Sequence, residues 1–240
     1  IVGMAPERRI PKFAAQTFRA WFQQRRVVNL GSTQVLLWPD TWNNHFHPTT
    51  AQAAVRVLEA AGFQVVIPGR ALCCGRPLYD YGMLDQAKRQ LREIIDALRS
   101  QIRAGMCVVG LEPSCISVFR DELVNMLPQD EDARRLSAQT YLLSEFLAQR
   151  APSFEVPALR ATALVHGHCH QKAVLKFADE ETLLGKLGIN IANFNLGRAA
   201  VGGDAIALLS IDGTLADAQL GEIAALEGVR QAKALSFPSL

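Results

Sequence analysis

Apolar and polar positions alternate in blocks along this chain, and each block has the length of one secondary-structure element. Thr33–Trp38, Phe63–Ile67, Met106–Leu111 and Ala161–Val165 are short apolar runs of the kind that form strands buried on both faces. Between them the apolar spacing widens to three or four residues. Leu84, Ala87, Leu91, Ile94, Ile95, Leu98 and Ile102 predict a helix over 83–103. Thr49 or Thr50 is placed to cap a helix over 50–61, with Ala54, Val55, Val57, Leu58 and Ala61 inward and Gly62 as its stop. Further helices are predicted over 7–26, 114–126 and 131–149. Pro39-Asp40-Thr41 ends the first strand, and a polar, aromatic loop with Trp42, His45 and His47 follows. Strand, loop and helix repeated in this order predict an α/β fold: an open, mainly parallel sheet flanked by helices.

The pattern changes at Gly188. Ile189–Gly197 and Asp204–Ile211 read as two strands joined by a glycine-containing connection over 198–203. Asp212 or Thr214 caps a helix through Leu226, Gly228 stops it, and Val229–Phe237 is a closing strand. This ferredoxin-like ββαβ unit is too small to bury both its faces alone. The expected organisation is an N-terminal helical segment (1–30), an α/β domain (31–187) and the ββαβ segment (188–240).

Composition narrows the class. Roughly half of the 240 residues are hydrophobic, enough for a substantial core, and no apolar run reaches the ~18 residues that span a bilayer. The net charge of +2 excludes little. Residues 1–30 hold six basic side chains and one acidic one, but Phe13, Phe18, Trp21 and Phe22 lay an apolar stripe through them. That pattern reads as the solvated face of an amphipathic helix and not as a nucleic-acid arm. The chain opens Ile1-Val2-Gly3 without Met or a secretory signal, and reads as a piece of a longer polypeptide. Five cysteines is an odd number, which argues against a disulfide framework and for thiols in a reducing cytoplasm.

The cysteines carry the chemistry. Cys73 and Cys74 are adjacent and precede Gly75, so a tight turn can aim two sulfurs at one centre. Cys115 closes the run Glu112-Pro113-Ser114-Cys115, and Cys169 lies between His168 and His170. Each motif follows a predicted strand, at the sheet edge where α/β folds gather ligands. Three motifs distant in sequence are therefore expected to form one site. Thiol and imidazole together suit a redox or metal centre. Buried, inert thiols are the alternative, and a Cys/His zinc site lacks the usual C-x-x-C spacing. Cys107 lies inside an apolar strand and reads as core. His45 and His47 read as surface or mouth residues.

Residues 37–44, 73–82, 110–115, 119–123 and 166–172, in this order, resemble the cysteine-rich CCG domains of FAD-linked oxidases and of glycolate oxidase iron–sulfur subunits. The resemblance covers residues 1–188. It implies an electron-transfer module of an FAD-linked oxidoreductase acting on D-2-hydroxy acids of the glycolate, lactate or 2-hydroxyglutarate type. It further implies an iron–sulfur cluster, of 4Fe–4S type, with Cys73, Cys74, Cys115 and Cys169 as ligands. His168, His170 and Asp40 would support these ligands or substitute for one. FAD would belong to a partner subunit or to a domain outside this chain, and catalysis on the substrate would occur there. Asp40 stands where many relatives carry a cysteine, and the family's second Cys-Cys-Gly motif does not occur in this chain.

Residues 188–198, 202–212 and 226–235 resemble the C-terminal ACT domain of D-3-phosphoglycerate dehydrogenase, with its first strand and most of its first helix missing. That resemblance implies pairing into a homodimer and, at Asn190, contact with a serine effector. A regulatory or dimerisation module, and an inactive chimera of two incomplete halves, are therefore the rival readings. The implied location is cytoplasmic, or peripheral to the inner membrane through partners.

Overall fold

The computed structural model describes residues 11–159, 162–165, 167–175, 190–198, 205–209, 216–225 and 231–233. They fall into two compact units. One is built from the chain through residue 158 together with 167–175, the other from 162–165 and the pieces beyond Gly188.

In the first unit, strands β1 (Gln34–Leu37), β2 (Gln64–Val66), β3 (Cys107–Gly110) and β4 (Thr140–Leu142) form one sheet in the order β2-β1-β3-β4. Every pairing is parallel, in the registers Val35↔Val65, Leu36↔Val108 and Val109↔Tyr141. The strands are short apolar runs because both sheet faces are covered. Val35, Leu37 and Val109 pack on one face with Ala54, Val55 and Leu58 of α3 (Pro48–Ala60), and with Phe18 of α1 (Phe18–Gln24). Leu36, Trp38 and Val108 pack on the other with Leu91, Ile94, Ile95, Leu98 and Ile102 of α5 (Leu84–Arg103). At about 1.5–3 kcal/mol for each large side chain taken out of water, these two aliphatic layers are the main stabilising term.

Loops and caps set the carboxyl edge. Asp40 caps α2 (Thr41–His45) by accepting a hydrogen bond from the Asn43 amide at 2.9 Å. Gly75 opens α4 (Arg76–Asp80) with φ 85°, a conformation that any side chain would strain. Glu112 caps α6 (Pro113–Ser117), which runs through a π-helical turn (Val118–Glu122) into α7 (Leu123–Met126).

Five expectations need correction. Helix α3 starts at Pro48 with His47 at its N-cap, so the expected caps Thr49 and Thr50 lie inside its first turn. The helix expected over 131–149 is broken: α8 (Glu131–Ala138) and α9 (Leu143–Arg150) flank β4. Thr140 and Tyr141 favour extended backbone, and the free edge of β3 supplies their pairing. The strand expected last in this sheet, observed as β5 (Thr162–Val165), pairs instead in the second unit with β6 (Asn190–Arg198). Of the helix expected over 7–26, only α1 forms within the described residues, capped by Thr17. Phe13 lies ahead of it, 73% exposed and stacked on Phe46. The loop carrying Trp42 and His45 is largely helical, as α2, because Asp40 caps it.

In the second unit, β6 joins β5 in parallel and β7 (Ala205–Leu209) in antiparallel register. Helix α10 (Asp217–Ala224) follows. Of the expected closing strand, residues 231–233 are not in a strand and 229–230 and 234–237 lie outside the described residues, as do the expected cap at Asp212 or Thr214 and the 198–203 connection beyond Arg198. The likeness of 188–240 to an ACT-type unit rests on its sequence alone. Among the described residues no helix is long and apolar enough to cross a membrane.

Candidate functional site

In the strand order β2-β1-β3-β4 the chain leaves β1 toward one side for β2 and returns to the other side for β3. A parallel sheet opens a crevice at such a reversal, beyond the carboxyl ends of its strands. Asp40 follows β1, Cys73 and Cys74 follow β2, and Glu112 and Cys115 follow β3. The fold thus delivers the Cys73–Cys74 and Cys115 motifs to one edge.

The thiols of Cys74 and Cys115 meet there, with their sulfurs 2.9 Å apart although 41 residues separate them in sequence. Both side chains are buried, at 4% and 8% exposure, in the cluster that contains Trp38, Ile116 and Phe119. Cys73 is half-buried, with its thiol beside the Cys74 thiol and the Thr41 hydroxyl. All five cysteines are free. Gly110 lets α6 fold back on the end of β3, because a Cβ there would overlap the Ile116 side chain.

Two carboxyl groups and three thiols dominate the electrostatics. Asp40 is 2% exposed, and burial lifts its carboxyl above the ordinary range despite hydrogen bonds from Asn43. Burial works the same way on Glu112, but the Ser114 hydroxyl and the Cys115 amide more than offset it and hold that carboxyl low. The Cys73 thiol is pushed well up, first by its hydrogen bond with Cys74 and then by burial. Cys74 is pushed up too, first by its hydrogen bond with Cys115. At Cys115 the bond to Cys74 pulls down, but burial and the charges of Glu112 and Asp40 outweigh it and leave the thiol raised. Three protonated thiols beside two carboxyl groups form a donor set suited to a thiophilic, cationic centre, whose charge would compensate thiolates that burial and neighbouring charge disfavour.

The motif at residues 168–170 makes its own grouping. The Cys169 sulfur lies 3.9 Å from Nδ1 of His168 and 3.8 Å from Nδ1 of His170, and the three donor atoms lie within 4.8 Å of one another. Cys169 is exposed, whereas Cys74 and Cys115 are buried. The π-helical turn that follows (Gln171–Leu175) packs on α6, and Leu175 joins the cluster around Cys74 and Cys115. Burial, followed by the nearby Arg76 charge, favours neutral imidazole at His170. Cys107 lies on the opposite sheet face, against the α3 layer. His45 is half-buried and His47 exposed. Asn190 opens β6 opposite Thr162.

Sequence reasoning missed two supports. Arg76 follows Gly75 directly. It bonds Ser117 Oγ at 2.8 Å and pairs with Glu122 at 2.5 Å, which ties α4 to α6 and its π-helical turn. Burial works against the Arg76 charge, but Glu122 and Asp80 win and keep it firmly cationic. Its place beside the Cys-Cys-Gly turn was the available signal. Trp38, 1% exposed and edge-on to Phe119 at 4.8 Å, leaves its indole N–H without a partner among the described residues. No sequence signal marks that orphaned donor.

A parallel α/β domain that presents thiols at its switch point defines a class, and comparison with known proteins agrees. The family model described as CCG, cysteine-rich domain, matches residues 40–120. Lactate utilization protein A of Bacillus velezensis is 31% identical over 140 residues, covering 56% of this chain and 57% of that protein. The protein of the same name from Halalkalibacterium halodurans is 34% identical over 134 residues, 54% of this chain and 53% of its own. In the anaerobic glycerol-3-phosphate dehydrogenase of Escherichia coli, the component designated C is 28% identical over 130 residues, 53% of this chain and 33% of that component. The chain therefore spans between a third and somewhat over half the length of these relatives.

Proposed function

We propose that this chain is the iron–sulfur electron-transfer module of an oxidoreductase that oxidises a small 2-hydroxy acid. The observation that carries the reading is the meeting of Cys74 and Cys115 at the carboxyl edge, with Cys73 beside them. The match of residues 40–120 to the cysteine-rich family and the likeness to a dehydrogenase subunit support it.

Cys73, Cys74 and Cys115 would hold the cluster, with Cys169 as a fourth contributor from the neighbouring turn. When bound, an iron–sulfur cluster supplies one-electron storage and transfer. The chain's own residues have distinct tasks. The three thiols give up their protons on loading. Gly75 sets the turn that presents Cys73 and Cys74, and Glu112 fixes the Cys115 amide. Burial of Cys74 and Cys115 keeps water from their sulfurs, and the unpartnered Trp38 N–H is a donor suited to a thiolate. We assign substrate oxidation to a flavin-containing partner subunit or domain, with FAD there, and the module to the cytoplasm. On sequence likeness alone, residues 188–240 would pair two copies of the chain, with Asn190 at an effector site. Sedimentation of the chain with and without L-serine tests that part.

Anaerobic incubation with iron and sulfide tests the central reading. A sulfur-to-iron absorption band is expected in the visible range and should be lost in Cys74→Ser and Cys115→Ser. A colourless native protein under the same treatment overturns it.

A further inference from the structure

A cavity of ≈ 340 Å³ opens beside Cys73, within the size range of small-molecule sites. Its walls come from α1, α2, α5 and the loop between β2 and α4, so it belongs to the rigid sheet edge. Pro39, Ala71 and Leu72 give it an apolar side. The polar side is cationic. Arg19 and Arg70 reach it, with the His45 imidazole and the Thr41 hydroxyl, against one carboxylate, Glu93.

The two arginines differ in their engagement. Arg70 donates to the Glu93 carbonyl at 3.3 Å and faces the Glu93 carboxylate at 3.9 Å, and both side chains are more than half exposed. Arg19 is half-buried and has no carboxylate partner among the described residues. Its guanidinium donates to the Pro68 carbonyl at 2.9 Å, and its backbone N–H to Asn44 Oδ1 at 3.0 Å. A guanidinium held in place, partly desolvated and without a counter-anion is preorganised for an oxyanion. Burial makes the Arg19 charge harder to sustain alone, which agrees with an anion completing it.

We infer that this cavity binds a small organic carboxylate, with the carboxylate on Arg19 and Arg70 and its apolar body against Pro39, Ala71 and Leu72. A ligand seated there lies against Cys73, the half-buried member of the thiol site. The inference stands on the cavity and its arginines and does not require that iron be bound.

Calorimetric titration of the metal-free full chain tests it, with benzoate as probe, benzamide as the uncharged isostere and inorganic phosphate as the rival oxyanion. Benzoate should bind saturably, and benzamide at least ~10-fold more weakly, the usual worth of a charge-assisted hydrogen bond. Arg19→Gln should weaken benzoate by a similar factor, with its fold checked by circular dichroism. Arg70→Gln, on the exposed rim, should weaken it without touching the fold and keeps the test meaningful if Arg19→Gln unfolds. Equal binding of benzamide, phosphate tighter than benzoate, no saturable benzoate binding, or unchanged affinity in the folded variants would overturn the inference.

Discussion

At the scale of single residues, the thiols and Asp40 set the pH behaviour. The Cys73, Cys74 and Cys115 thiols are raised, so the metal-free protein holds their protons at neutral pH. Loading must displace those protons, and iron uptake is expected to rise steadily from pH 6.5 to 8.5. Equilibrium uptake across that range measures it, and a flat profile would count against thiolate ligation. Asp40 titrates in the stability of the metal-free fold. Its folded pKa lies above its unfolded value, so the stability contributed by its proton is complete below the unfolded pKa of about 3.9. That contribution is lost as pH rises through the folded value. Asp40→Asn keeps a capping side chain and abolishes the loss. Its urea midpoint relative to the native protein should therefore climb between pH 4 and pH 7. The Cys73–Cys74 pair was legible at this scale because adjacent thiols before a glycine have few structural uses. Arg19 and Trp38 were not legible. Arg19 looked like one more surface cation in a basic segment, and an orphaned indole N–H depends on what surrounds it in space.

Elements place those residues, and glycines limit how. Gly110 faces Ile116 with no room for a methyl group. Gly110→Ala should cost about 1–3 kcal/mol through overpacking. Ile116→Ala opens that space, so the double variant is expected to lose less than the sum of the two single losses, as a thermal double-mutant cycle would show. Additive losses would place the strain elsewhere. The same scale separates what the hydrophobic pattern foretold from what it did not. Strands β1, β2 and β3 were legible because both their faces are buried, and α3 and α5 because one stripe of each faces the sheet. β4 was hidden because three residues between two helices barely interrupt a helical period. β5 was recognised as a strand and assigned to the wrong sheet, because a strand's partner is a long-range choice that its own residues do not encode. The α2 cap was hidden in plain sight: Asp40 was read as a strand stop beside a proline.

For the whole molecule, the account is a doubly covered parallel sheet whose order reversal gathers sulfur from loops 41 residues apart. The fold supplies rigidity, half-buried Glu112 supplies a carboxylate held ionised beside the thiols, and the chain spans only part of the length of its relatives. The most direct test is anaerobic reconstitution followed by iron and sulfide analysis with Mössbauer spectroscopy, on the native chain and on Cys74→Ser, Cys115→Ser and Cys107→Ser. The account predicts thiolate-bound iron in the native chain and in Cys107→Ser, and its loss in the other two. Iron that survives in Cys74→Ser and Cys115→Ser, or that the native chain never takes up, would contradict it.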